Sequence, residues 1–131
     1  MLVLRKKVNE KSFTKVNIEN TLKSLQSEVG GYIEVYGHGL LGNRGLVMIL
    51  NEDGKMLGLK ENLVLTADGK PYDIVVGDVL VAKVSGDDFT GLSEEDIKYF
   101  NTLVGSNIMG IPSIMAVSYT HLRAHETKAI S

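Results

Sequence analysis

The residues best suited to chemistry crowd into one stretch, GHGLLGNRG, from Gly37 to Gly45. Its glycines at 37, 39, 42 and 45 permit positive φ and let backbone N–H groups come close to an anion. Arg44 adds a guanidinium that can grip phosphate oxygens in a fork, and His38 adds a titratable ring. Tyr32 and Tyr36, just upstream, offer faces on which a base can stack, and Lys60 is a further partner for phosphate. Tyr32, Tyr36, Gly37, His38, Gly39, Gly42, Arg44 and Lys60 therefore form the candidate ligand-binding set, with no catalytic or metal role and no cofactor assigned.

Gly37, Gly39 and Gly42 also spell G-x-G-x-x-G. The dinucleotide motif must open a helix whose N-terminus faces the pyrophosphate, whereas here the apolar strand LVMIL follows. The plain alternative is a flexible connection between two strands. A third reading makes the loop a protein-binding element, with Leu40 and Leu41 as exposed anchors and Arg44 at the rim.

Other candidates have simpler explanations. His121 and His125 stand four apart with Glu126 beside the second, but no third ligand is near. Glu52 and Asp53 precede Gly54 without the spaced oxygens of a calcium loop, so a turn is expected. Asp87 and Asp88 lack the partner that acid/base work requires and are read as loop residues. With no Ser/His/Asp, Cys/His or glycine–lysine phosphate motif in the sequence, the expectation is a protein that is not an enzyme.

The elements that must position these residues follow from periodicity. YIEVY (32–36) alternates as a half-buried strand, with Ile33 and Val35 on one side and Tyr32, Glu34 and Tyr36 on the other. LVMIL (46–50) is apolar throughout, which requires cover on both faces. Upstream, residues 1–7 and 12–16 are short strand candidates. Ile18, Leu22, Leu25 and Val29 then fall at helical spacing, predicting a helix from Ile18 to Val29 capped by Asn17 and ended by Gly30-Gly31. Downstream, Asp53-Gly54 reads as a hairpin turn into a strand at MLGL (56–59). NLVLT (62–66) is another strand, Asp68-Gly69 another turn, and IVVGDVLVAKV (74–84) a buried strand redirected at Gly77-Asp78. Ser93, followed by Glu94, Glu95 and Asp96, is a capping signature for a second helix with Ile97, Phe100 and Leu103 or Val104 as its apolar stripe. Weak β, helix, five or six strands, helix predicts an α+β fold: a curved, mostly antiparallel sheet or partly open small barrel with both helices on one face.

The 131 residues are read as a single domain over 1–116 with an odd tail over 117–131. A net charge of −2 without a clustered basic face argues against an extended nucleic-acid surface. The absence of cysteine excludes disulfides and thiolate-held metals and fits a reducing cytosol. No apolar run approaches the roughly 18 residues of a membrane span. Short strands leave open edges, so a homodimer is a plausible remedy.

LQSEVGGYIEV (25–35), NEDGKMLGL (51–59), Asn62, IVVGDVLV (74–81) and GDDFTGLSEEDI (86–97) occur in an order that resembles a family of small uncharacterised proteins of phages, plasmids and conjugative elements, domain of unknown function 3846. The resemblance covers about residues 1–104, carries no known catalytic residues, and leaves GHGLLGNRG longer than the turn expected there. It implies a dispensable, host-directed role. One such role is a counter-defence sponge that sequesters a cyclic nucleotide or other nucleotide-derived immune signal; the alternative is a protein-binding module that inhibits or regulates a host protein. VSYTHLRAHET (117–127) resembles translated sequencing-adaptor read-through, so the tail is expected to carry no evolved function.

Overall fold

A computed structural model describes residues 1–37, 41–105 and 113–116. Among these residues nine strands and two α-helices follow one another as β1 (Leu2–Lys6), β2 (Thr14–Asn17), α1 (Leu22–Val29), β3 (Ile33–Tyr36), β4 (Leu46–Asn51), β5 (Glu61–Ala67), β6 (Lys70–Val76), β7 (Val79–Ser85), β8 (Asp88–Thr90), α2 (Glu94–Leu103) and β9 (Ser113–Ala116). The architecture is α+β with antiparallel strand pairing, in two sheets and not closed into a barrel. The larger sheet runs β2-β1-β7-β4-β3, with β8 pairing the end of β7, and the smaller runs β6-β5-β9.

The larger sheet is the middle layer, as its uniformly apolar strands demand. Along β4 and β7, Val47, Ile49, Leu80 and Ala82 point one way and meet Leu25 and Val29 of α1. Their neighbours Leu46, Met48, Leu50, Val79 and Val81 point the other way into the main core, against Leu63, Leu65 and Val75 of the smaller sheet and Ile97, Phe100 and Leu103 of α2. The helices thus lie on opposite faces of this sheet, correcting the one-face expectation: a strand apolar on both sides needs a partner layer on each.

Gly77, with φ of 77°, marks the point where the chain leaves β6 in one sheet and enters β7 in the other. Asp68 and Gly69 both take positive φ, 53° and 74°, and turn β5 back into β6. Pro71 is tolerated because β6 pairs only with β5, at an edge.

Three local expectations change. The first helix begins at Leu22 under a Thr21 cap that accepts from the Ser24 N–H. Asn17 ends β2, and the Ile18 N–H donates to the Met1 carbonyl, so sheet pairing takes the turn that periodicity had given to the helix. Residues 56–59 form no strand; Glu52 to Gly58 is a run of turns in which the Leu57 N–H donates to the Asp53 carbonyl. Asp88 opens a short strand instead of lying in a loop, while the capping box at Ser93 and Asp96 is present.

Candidate functional site

Where it is described, the glycine-rich segment packs closely against itself and β4. His38 and Gly39, like Leu40, lie outside the described residues, as do His121, His125 and Glu126. Gly42 must be glycine because a Cβ there would sit 2.5 Å from the Gly37 carbonyl oxygen, and one on Gly37 would meet Val47 Cγ1 at 2.8 Å. Gly42 to Arg44 form a single 3-10 turn, and Gly45 follows with φ of 75°. Leu41 is buried in the main core, which removes it as an exposed anchor: an apolar residue beside a strand entrance is drawn under the sheet.

Arg44 is equally committed. Its Nε donates to Asp96 Oδ1 at 2.9 Å, a terminal nitrogen lies 3.7 Å from Glu95, and its guanidinium stands 5.5 Å from the Tyr99 ring centroid. Asp96 is 1% exposed and also accepts from Lys83 Nζ at 3.2 Å and from the Ser93 N–H at 2.9 Å. Burial alone would push this carboxyl up. The Ser93 hydrogen bonds, Arg44 and Lys83 outweigh burial and hold it at about 2. An anion approaching Arg44 must compete with a carboxylate already in place.

Tyr36 belongs to the same end of the sheet. It pairs across the ladder with Met48, packs on the main core and brings its hydroxyl 3.4 Å from that of Tyr72 on β6. Burial, followed by the Tyr72 contact, pushes its hydroxyl above the ordinary tyrosine value.

Tyr32 sits at the opposite end of β3, roughly 13 Å away at ~3.3 Å per residue. Its side chain is 68% exposed and lines a hollow of about 320 Å³ with Gly30, Gly31, Asn51, Asp53 and Leu57. Gly30, Asn51 and Leu57 also line a second hollow of about 370 Å³ that reaches Glu28, Leu59, Lys60 and Asp78. The two hollows form one groove at the C-terminal end of α1. Its floor is set by Asn51, a buried side chain that donates to the Val29 carbonyl at 3.1 Å and accepts from the Asp53 N–H at 2.8 Å. Leu57 is 62% exposed and Met56, beside it in the turn, 85%.

Of the sequence candidates, the structure therefore brings Tyr32 and Lys60 to one groove and leaves Tyr36, Gly37, Gly42 and Arg44 at the other end of β3. Sequence reasoning missed Asn51 and the apolar turn. The signal was present in GKMLG, where two large apolar residues stand between turn-forming glycines. It also missed Lys6, fully buried, whose ammonium donates to Asn62 Oδ1 at 2.6 Å while Asn62 donates to the Lys6 and Gly77 carbonyls. Among the described residues no three His, Cys, Asp or Glu side chains are grouped to hold a metal, and no helix is long and apolar enough to cross a membrane.

No curated protein and no solved structure matches the chain. One family model does match, over residues 1–105, which spans every element from β1 through α2. On that match the chain belongs to the family described as domain of unknown function DUF3846.

Proposed function

We propose that this domain is a non-catalytic binding module of a phage, plasmid or related mobile element, and that it inhibits or regulates a host protein. The observation that supports this reading is the groove at the end of α1, bordered by exposed Tyr32 and Leu57 with Met56 adjacent. Large apolar side chains clustered at a concave surface are costly to leave in water and mark interaction sites. The test is a pulldown from host lysate with wild-type bait and with Met56→Ser plus Leu57→Ser. A specific host protein lost with the double variant supports the reading; the same capture by both baits counts against the groove.

A second reading, sequestration of a nucleotide-derived immune signal, draws support from one placement. Tyr32 and Lys60 border the same groove, supplying a ring for a base and an ammonium for a phosphate. Against it, Arg44 is held by Asp96, and Glu28, Asp53 and Asp78 line the groove with negative charge. Calorimetry against cyclic dinucleotides and cyclic ADP-ribose isomers decides. Heat lost on Lys60→Ala would favour the second reading over the first.

A further inference from the structure

We infer that the groove at the C-terminal end of α1 receives a basic segment of a partner protein, in which an aliphatic or aromatic anchor is flanked by Arg or Lys. This rests on the protein-binding reading above and adds the chemistry of the occupant.

The first support is charge. Three carboxylates, Glu28, Asp53 and Asp78, line the joined hollows; Glu28 is paired with Arg5, which leaves Asp53 and Asp78 against one ammonium, Lys60. Two of the three are fixed: Glu28 lies 3.4 Å from Arg5, and Asp78 Oδ1 accepts from the Val8 N–H at 3.0 Å. Fixed carboxylates attract a cation without first having to be ordered, which favours basic partners over acidic ones.

The second support is the helix end itself. The last turn of α1 carries no basic residue, so the negative end of its dipole is not offset from within the helix. Gly30 and Gly31 both donate to the Gln26 carbonyl, and Asn51 donates to that of Val29. The groove wall thus presents a helix C-terminus whose Gln26 and Val29 carbonyls are already capped from within the chain, so the helix end adds only a weak negative potential beside the carboxylates.

The third is shape and apolarity. Val29, Leu57 and Leu59 give the hollows an apolar lining, and each hollow is within the range of sites that hold small ligands or anchor side chains, ~300–1,000 Å³. The groove runs from Tyr32 at the start of β3 to Asp78 at the β6–β7 junction. An isolated metal ion would use the carboxylates and leave the apolar lining wet; a segment with an apolar anchor between cationic flanks uses both.

The experiment uses the full chain and fluorescein-labelled peptides in which leucine or phenylalanine is flanked on each side by two arginines, with matched peptides carrying glutamate instead. Anisotropy should show the arginine peptides binding at least about tenfold more tightly than the glutamate ones, with the difference shrinking as salt rises. Asp53→Lys should reduce or reverse the preference, Asp78→Asn should weaken it while keeping the acceptor for Val8, and Leu57→Ser should weaken the arginine peptides without changing the sign. Circular dichroism on each variant confirms the fold. Equal binding of both peptide classes, a preference that survives Asp53→Lys, or no peptide binding overturns the inference. If in that case Leu57 is still needed to capture a specific host protein, the protein-binding reading stands and only the basic occupant is wrong.

Discussion

The ammonium of Lys6 lies 2.6 Å from Oδ1 of Asn62, tying β1 of the larger sheet to β5 of the smaller at a point closed to water. A buried lysine facing an amide is unusual, because an amide offers a dipole where a carboxylate would offer a charge. Burial is the main influence on Lys6 and lowers its pKa from the ordinary 10.5, against the opposing pull of Glu10 and Asp78. Between that lowered value and 10.5 the unfolded chain binds more protons than the folded one, so stability rises with pH across the window. Tyr36 works in the opposite sense above its ordinary 10, where only the unfolded hydroxyl ionises. Urea titrations from pH 8 to 11 should therefore show a steeper rise, or a shallower fall, in wild type than in Lys6→Met. Asn62→Ala should cost about 2–4 kcal/mol at neutral pH by stranding the ammonium. Identical pH slopes in wild type and Lys6→Met would contradict the assignment.

Asp96 predicts the acid limb. Its folded value of about 2 lies below the ordinary 3.8, so its contribution is fully present above the ordinary value and is lost as pH falls toward 2. The shift corresponds to about 2–3 kcal/mol at most, at ~1.4 kcal/mol per unit. Asp96→Asn should lower neutral-pH stability by about 2 kcal/mol or more and flatten the loss between pH 4 and 2, read by denaturant midpoints.

Gly42 separates two accounts of the glycine-rich segment. If its glycine serves only a ligand, Gly42→Ala folds normally and loses binding. The 2.5 Å approach to the Gly37 carbonyl predicts instead a fold destabilised by about 1–3 kcal/mol with no ligand present. A melting temperature equal to wild type would reopen the ligand account.

The strand β9 adds a third strand to the smaller sheet and a side chain to the core. Ile114 is buried in the main core, and the Gly105 N–H donates to its carbonyl. Ile114→Ala should cost about 2–4 kcal/mol. Truncation after residue 116 is expected to leave the melting temperature nearly unchanged, whereas truncation after 105 should lower it by more than about 10 °C, because β5 loses its neighbour and the core a side chain. Equal losses from both truncations would show that residues beyond 116 support the fold.

Much of the fold could be read because each strong pattern reflected a single burial environment. LVMIL was legible as a doubly covered strand, IVVGDVLVAKV as buried sheet redirected at Gly77-Asp78, and Ser93 with the acids after it as a capping signature, because those signals are local. The layer order was not legible. A strand apolar on every residue does not say which side faces a helix and which a second sheet. The start of α1 was misplaced because Ile18, at helical spacing from Leu22, is held by Met1 at the far end of another strand. The site was legible only in part for a related reason. In sequence Arg44 looks like a cation available to a ligand, and only the fold shows that it meets Asp96, 52 residues on. Asn51 and Lys6 gave no signal, since a buried polar side chain is defined by partners far along the chain.

The position of β7 has a consequence for synthesis. It lies between β1 and β4, so the hairpin β1–β2 and the hairpin β3–β4 share no hydrogen bond until β7, residues 79–85, has been made. From residue 51, where β4 ends, to residue 85, a growing chain must carry two separate, half-covered ribbons, and β7 then zips them into a sheet. Pausing of the ribosome before that point would hold the nascent protein in its most aggregation-prone form.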